Sequence, residues 1–302
     1  MTKINEWTSS QENTEASSLN NIEESIHGHF SHCLLEDLCL SFSIELSPRK
    51  ESKNFYAIEP NNDLLHKFLS YNDFLNRSFD DILSTVMCSL VTKGVSYTEI
   101  VFYKDTDFNL IGIEFKPLNV YKARKKLNCT YFYARKHKKP LYGVLNNNLI
   151  FLDLKKIGYR RNFFLKIFSK LSKLEKKKYS FLRIPHGLPL ILEKNFKRWL
   201  DFEFLKTNKK SFWDGRKPYN YFLNEPYSLY REANYKMIRY KFLDYILQEF
   251  NSSLERFSSK FSFNGRIVTT AIRINYQKHL KAFQDGEMNI EQLNTILTKN
   301  QD

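Results

Sequence analysis

Apolar positions recur at helical spacing between residues 62 and 93: Leu64, Leu65, Phe68 and Leu69, then Phe74 and Leu75, then Ile82, Leu83, Val86, Met87 and Leu90. This spacing predicts two successive helices. Ser78, followed three residues later by Asp81, is the start signal of the second. Gly94 after Lys93 is its stop, because glycine accepts the left-handed conformation that closes a helix. The period then changes to two. Tyr97, Glu99, Val101 and Tyr103 alternate with Thr98, Ile100 and Phe102, a β-branched and aromatic run that suits a strand. Residues 105–109 supply a turn, 110–115 the return arm, and Pro117 its end. Residues 131–134 and 148–154 are further strand candidates, with Asn146-Asn147 as a turn.

Upstream, LLEDLCLSFSIEL within 26–46 predicts a short helix running into a strand, and 47–54 a loop. Residues 1–25 are rich in Ser, Asn, Thr and Glu. They can bury too little surface to offset the entropy of ordering, so a disordered acidic tail is expected. Downstream, Phe164, Ile167, Phe168, Leu171 and Leu174 mark one face of a helix across 155–178, with lysines on the other. Residues 184–189 break it. Residues 190–210 read as helix with Trp199 and Phe202 inward, 212–230 as an aromatic connection, and 235–257 as the longest helical pattern. Residues 266–284 read as another helix, and 289–299 as a short one capped by Asn289. The pattern predicts an α+β protein. Its parts are the tail (1–25), a module of helices plus a small antiparallel sheet (26–155), and a basic, mostly helical half (156–302).

Charge alters this picture more than size does. The chain has 302 residues, 42% hydrophobic and 16% aromatic, enough for a sizeable core. Its formal net charge is +14, unevenly spread. Residues 1–100 hold 7 Lys+Arg against 15 Asp+Glu, and residues 101–302 hold 40 against 18. Such asymmetry points to a polyanionic partner for the later two-thirds, or to lysines that only fill solvated faces. Cys33, Cys39, Cys88 and Cys129 form no CxxC pair, so reduced thiols and a cytoplasmic location are expected. Neither a signal peptide nor a spanning apolar run is read.

Three constellations carry candidate chemistry. In the predicted hairpin, Glu99, Asp105, Asp107, Glu114 and Lys116 cluster in sequence, and alternation places Glu114 and Lys116 on one face. Carboxylate oxygens there suit Mg²⁺. His27, His29, His32, Cys33 and Cys39 offer imidazole and thiolate, but in compressed spacing without a second distant pair. Lys155, Lys156, Arg160, Arg161, Lys166, Lys170 and Lys173 fall in a segment with ten Lys+Arg and one acid, Glu175. They suit phosphate contacts, a solvated face or an anionic membrane surface. Cys88 and Cys129 read as buried thiols. No Gly-rich phosphate loop, GxSxG elbow or HExxH helix occurs.

Two family resemblances arise from the hairpin. IGIEFK, residues 111–116, resembles the ExK strand of PD-(D/E)xK nucleases. That implies a Mg²⁺-dependent nuclease with Glu99 or Asp105 beside Glu114, and Lys116 assisting. Residues 62–155 resemble phage portal proteins of the Mu-like branch. The likeness lies in a helix running into G-x-S-Y-x-E-I-V (94–101), a turn, a return strand, and P-x-x-V at Pro117 and Val120. It implies a non-enzymatic, phage-derived protein without a cofactor that contacts DNA and self-associates as a homo-oligomer. A plain nucleic-acid-binding accessory protein is the third expectation.

Overall fold

The computed structural model describes residues 2–3, 29–39, 56–74, 78–120, 122–133, 139–182, 190–215, 224–269 and 274–298. Apart from Thr2–Lys3, the expected tail lies outside the described residues, as does the strand expected before residue 46. The architecture is α+β, as the pattern predicts. The described residues fall into two units that do not follow chain order. The first comprises Met1–Ile22, Pro48–Arg161 and Leu243–Ala271; the second comprises Glu23–Ser47, Asn162–Phe242 and Ile272–Asp302. The units interleave along the chain: 23–47 belongs to the second and 243–271 to the first.

The first unit contains the short strand β1 (Thr2–Lys3) and β2 (Tyr56–Glu59); α1 (His29–Cys39), which lies between them in the chain, belongs to the second unit. There follow α2 (Asp63–Phe74), α3 (Phe79–Lys93), β3 (Val95–Lys104) and β4 (Leu110–Pro117). The strands β5 (Lys122–Lys126), β6 (Cys129–Tyr133), β7 (Tyr142–Leu145) and β8 (Leu149–Asp153) complete this run. The start and stop signals of α3 act as the sequence implies. Ser78 and Asp81 form a reciprocal capping box, and Gly94 closes the helix at φ 75°.

Strand β3 pairs antiparallel with β4, with β8 and, at its far end, with β1. Directly opposed residues share a face. One face therefore carries Ile100, Phe102, Ile113 and Phe115, all buried. Phe115 packs 4.8 Å from Phe250 and 6.0 Å from Phe79, ring centre to ring centre. Phe102 packs against Phe257 and Phe261. Phe250, Phe257 and Phe261 lie on α6 (Glu225–Phe261), whose residues from Leu243 onward belong to this unit. Strands β5, β6 and β7 form a second antiparallel sheet in that order. Its Phe132 and Val144 join Leu118 and Leu149, with Tyr97 packed beside them.

Several strands appear where none was expected, β1, β2, β5 and β7 among them. β9 (Arg266–Thr269) pairs with β2, within the segment read as helix. The β-branched residues Ile267, Val268 and Thr269 favour extension. The Asn251 side chain fixes the backbone by accepting from Ile267 N–H and donating to Ile267 C=O, at 2.7 and 2.8 Å. Among the described residues, helix resumes at α7 (Tyr276–Gln284), capped by Asn275. β5, with sequence KARKK, gave no apolar alternation to mark it as a strand.

The second unit is helical: α1, α4 (Phe163–Leu182), α5 (Leu190–Thr207), the earlier part of α6, α7 and α8 (Ile290–Thr298). Leu229 and Ala233 of α6 pack with Tyr276, Leu280, Leu293 and Leu297. Phe204 and Trp213, both buried, pack 5.5 Å apart, and the Trp213 indole N–H donates to Asp37 at 2.7 Å. On α5 the expected orientation is corrected. Leu200 and Phe204 point inward at i, i+4 spacing, whereas Trp199 and Phe202 are exposed. Asn289 caps α8 as expected, accepting from Gln292 N–H at 2.8 Å.

Candidate nucleic-acid interface

Strand register decides which hairpin side chains can act together. Glu99 opposes Lys116 and Val101 opposes Glu114, so Glu99, Glu114 and Lys116 share the face opposite the phenylalanine core. Both carboxylates are buried. Glu114 accepts a 2.6 Å hydrogen bond from the Tyr103 hydroxyl. Asp105 is held differently. Its Oδ1 accepts the backbone N–H groups of Asp107 and Asn109 at 3.0 and 2.8 Å, and its Oδ2 accepts from the Asn109 amide. It is the turn's own carboxylate, satisfying backbone donors that the hairpin tip would otherwise leave open. The structure thus brings together Glu99, Glu114 and Lys116 and leaves Asp105 in the turn. Among the described residues, no group of three or more His, Cys, Asp or Glu side chains is placed to hold a metal ion.

The histidine and cysteine constellation divides in the same way. His27 lies outside the described residues. His29 contacts the Cys33 sulfur, His32 lies 3.1 Å from Glu36, and Cys33 and Cys39 are buried thiols.

The basic segment 155–178 is not one helix, which corrects the expectation. Lys155 and Lys156 lie in a short 3-10 turn, Leu154–Ile157. It starts where Asp153 accepts Lys155 N–H and ends at Gly158, φ 85°. Two of the expected phosphate-binding cations are already paired. Arg161 donates to Asp153 through Nε at 3.1 Å and Nη2 at 2.6 Å, and Lys156 donates to Glu249 at 2.7 Å. The Arg161 hydrogen bond holds the Asp153 carboxyl below its ordinary range, against the opposing effect of burial. The Glu249 contact raises Lys156.

Replacing Asp153 with Asn is expected to cost about 1–2 kcal/mol, a modest figure because Arg161 is about half exposed to solvent. The lowered carboxyl stabilises the fold at pH values above its unfolded pKa, about 3.9, and that contribution is lost as pH falls through the folded value. Urea midpoints of wild type and Asp153→Asn should therefore differ at pH 7 and converge below about pH 4.

The helix proper, α4, presents Lys166, Lys170, Lys173 and Lys177 on one exposed face at spacings of four, three and four. Over 11 residues this stripe extends about 16 Å. Its buried face is Phe164, Ile167, Phe168, Leu171 and Leu174. Glu175, the helix's one acid, also turns inward and accepts the His29 and Phe30 N–H groups at 2.7 and 3.4 Å, capping α1. That capping role is invisible in sequence, because 146 residues separate the partners His29 and Glu175. Trp199 was expected to be core; instead it lies exposed with Lys177 Nζ 5.1 Å above its ring. In comparisons with known proteins, no family model and no curated protein matches the chain. No helix among the described residues is long and apolar enough to cross a membrane.

Proposed function

We propose that this protein binds nucleic acid, in the first instance DNA, without cutting it, and that the lysine face of α4 supplies phosphate contacts. The observation that carries this reading is the stripe Lys166, Lys170, Lys173 and Lys177, exposed on one face while the helix's one acid is buried. Lys155 and Arg160 are exposed as well. Each neutralised phosphate releases counterions, so affinity should fall steeply with salt. Changing Lys166, Lys170 and Lys173 to Gln is expected to lower the slope of log K against log salt for duplex DNA by about 3. Fluorescence anisotropy between 50 and 300 mM NaCl reads this directly. An unchanged slope, or no binding by wild type at low salt, would show the reading to be wrong.

The shared face of Glu99, Glu114 and Lys116 favours a second reading, a Mg²⁺-dependent nuclease. A metal bound there would have two buried carboxylates, one already hydrogen-bonded to Tyr103. Incubation of plasmid and single-stranded substrate with protein and Mg²⁺ is expected to leave both intact. Cleavage that disappears in Glu114→Ala and Lys116→Ala would reverse the choice. The portal resemblance adds self-association to the proposal. Native mass measurement of the full chain checks it, and a strict monomer removes that part. The longest helix, α6, is committed to the cores of both units through residues such as Ala233 and Phe250. The reading therefore rests on the DNA contact rather than on a ring-forming stem.

A further inference from the structure

Between Glu114 and Asp153 the chain contains no Asp or Glu, and residues 122–139 alone hold eight Lys+Arg. The structure arranges part of that charge on one sheet face. Lys122 opposes Tyr133, Arg124 opposes Tyr131, and Lys126 opposes Cys129 across β5 and β6. Tyr131 in turn opposes Gly143 of β7. These residues share a face. Ala123, Phe132 and Val144 take the other face and pack into the first unit.

The geometry points to this outer face of the β5–β6–β7 sheet as a binding platform for single-stranded nucleic acid, distinct from the helical lysine stripe. It rests on the nucleic-acid reading above and names a second site and a substrate form. Lys122, Arg124, Lys125 and Lys126 are exposed, and among the described residues none of the four is ion-paired with a carboxylate. The Arg124 guanidinium lies 5.6 Å from the centre of the Tyr133 ring. The Tyr131 ring lies across Gly143: a Cβ there would fall 3.2 Å from two of its ring carbons. Tyr131 and Tyr133 are half-buried. They stand about 6.6 Å apart along the strand. Stacked bases in a duplex are about 3.4 Å apart, so this spacing suits a splayed single strand with bases on the tyrosines and phosphates on β5.

An edge strand also uses charge to discourage pairing with other chains. Three of the four β5 cations, Lys122, Arg124 and Lys126, lie on this one face, two of them opposite tyrosines of the next strand, which goes beyond it.

The test measures anisotropy of a labelled oligo-dT 20-mer and of a duplex of equal length with the full chain. Wild type is compared with three variants whose folding is checked by circular dichroism. They are Lys122→Glu with Arg124→Glu, Tyr131→Leu with Tyr133→Leu, and Lys166→Glu with Lys170→Glu. Both sheet variants are expected to lose at least about tenfold for oligo-dT, with duplex affinity kept within about twofold. The tyrosine variant should leave the salt slope unchanged. The helix variant should lose duplex affinity and keep oligo-dT. If the tyrosine variant binds oligo-dT like wild type, or only the helix variant loses it, the platform is overturned while nucleic-acid binding stands. If wild type binds neither probe at low salt, both readings fall. Capture by phosphatidylserine vesicles without oligonucleotide affinity overturns the platform in favour of a membrane surface.

Discussion

Phe250→Ala is expected to destabilise the first unit by about 3–5 kcal/mol, seen as a lowered urea midpoint for the transition that includes that unit. The Phe250 ring is fully buried and meets Phe115 of β4 at 4.8 Å and Phe79 of α3 at 5.9 Å. It therefore ties the C-terminal part of α6 to the first residue of α3 and to the hairpin's core face. Truncation removes the transfer free energy of the ring and leaves a cavity that three separate elements would have to close together. Phe257, also on α6, is only partly buried, so Phe257→Ala should cost distinctly less. Equal costs for the two variants would mean that Phe250 does not hold the centre of this core.

How legible the fold was depended on whether its determinants were local. The α3 helix could be read whole because Ser78, Asp81 and Gly94 act within a few residues of the elements they bound. The β3–β4 hairpin was likewise marked by alternation, and alternation also placed Glu114 and Lys116 on one face. What remained hidden was set by distant partners. β2 and β9 find each other across the chain, and the Asn251 side chain helps fix the second of them. β5 is exposed along nearly its whole length, so burial left no apolar imprint on it. Composition merged Lys155 and Lys156 with α4, although Gly158 was a local signal that the helix starts later. The turn at 105–109 was legible, but not that the Asp105 carboxylate is taken up by the backbone N–H groups of Asp107 and Asn109. The sheet-face lysines were missed for a related reason. The signal was the absence of acids from 115 to 152, and an absence has no motif.

Gly94→Ala is expected to cost about 3 kcal/mol or more, unusual for adding a single methyl group. Gly94 stands at φ 75°, where a side chain alone costs about 1–2 kcal/mol. The space is also closed: a Cβ would fall 2.2 Å from the Arg161 carbonyl oxygen and 2.5 Å from its Cα. These are backbone atoms, so no rotamer change relieves the overlap. The Gly94 N–H donates to Leu90 C=O and its carbonyl accepts from Leu154 N–H, so the residue joins the end of α3 to the turn after β8. Gly286 provides the control, with φ 78° and nothing within 4 Å of a built Cβ. Gly286→Ala should cost only the backbone term. The difference between the two variants, read from urea denaturation, isolates the steric part. Because the displaced atoms belong to Arg161, Gly94→Ala should also weaken the pair with Asp153. Combined with Asp153→Asn it should cost less than the two single changes added together. Strict additivity, or a Gly94→Ala cost no larger than that of Gly286→Ala, would mean that Arg161 does not close over Gly94 in solution.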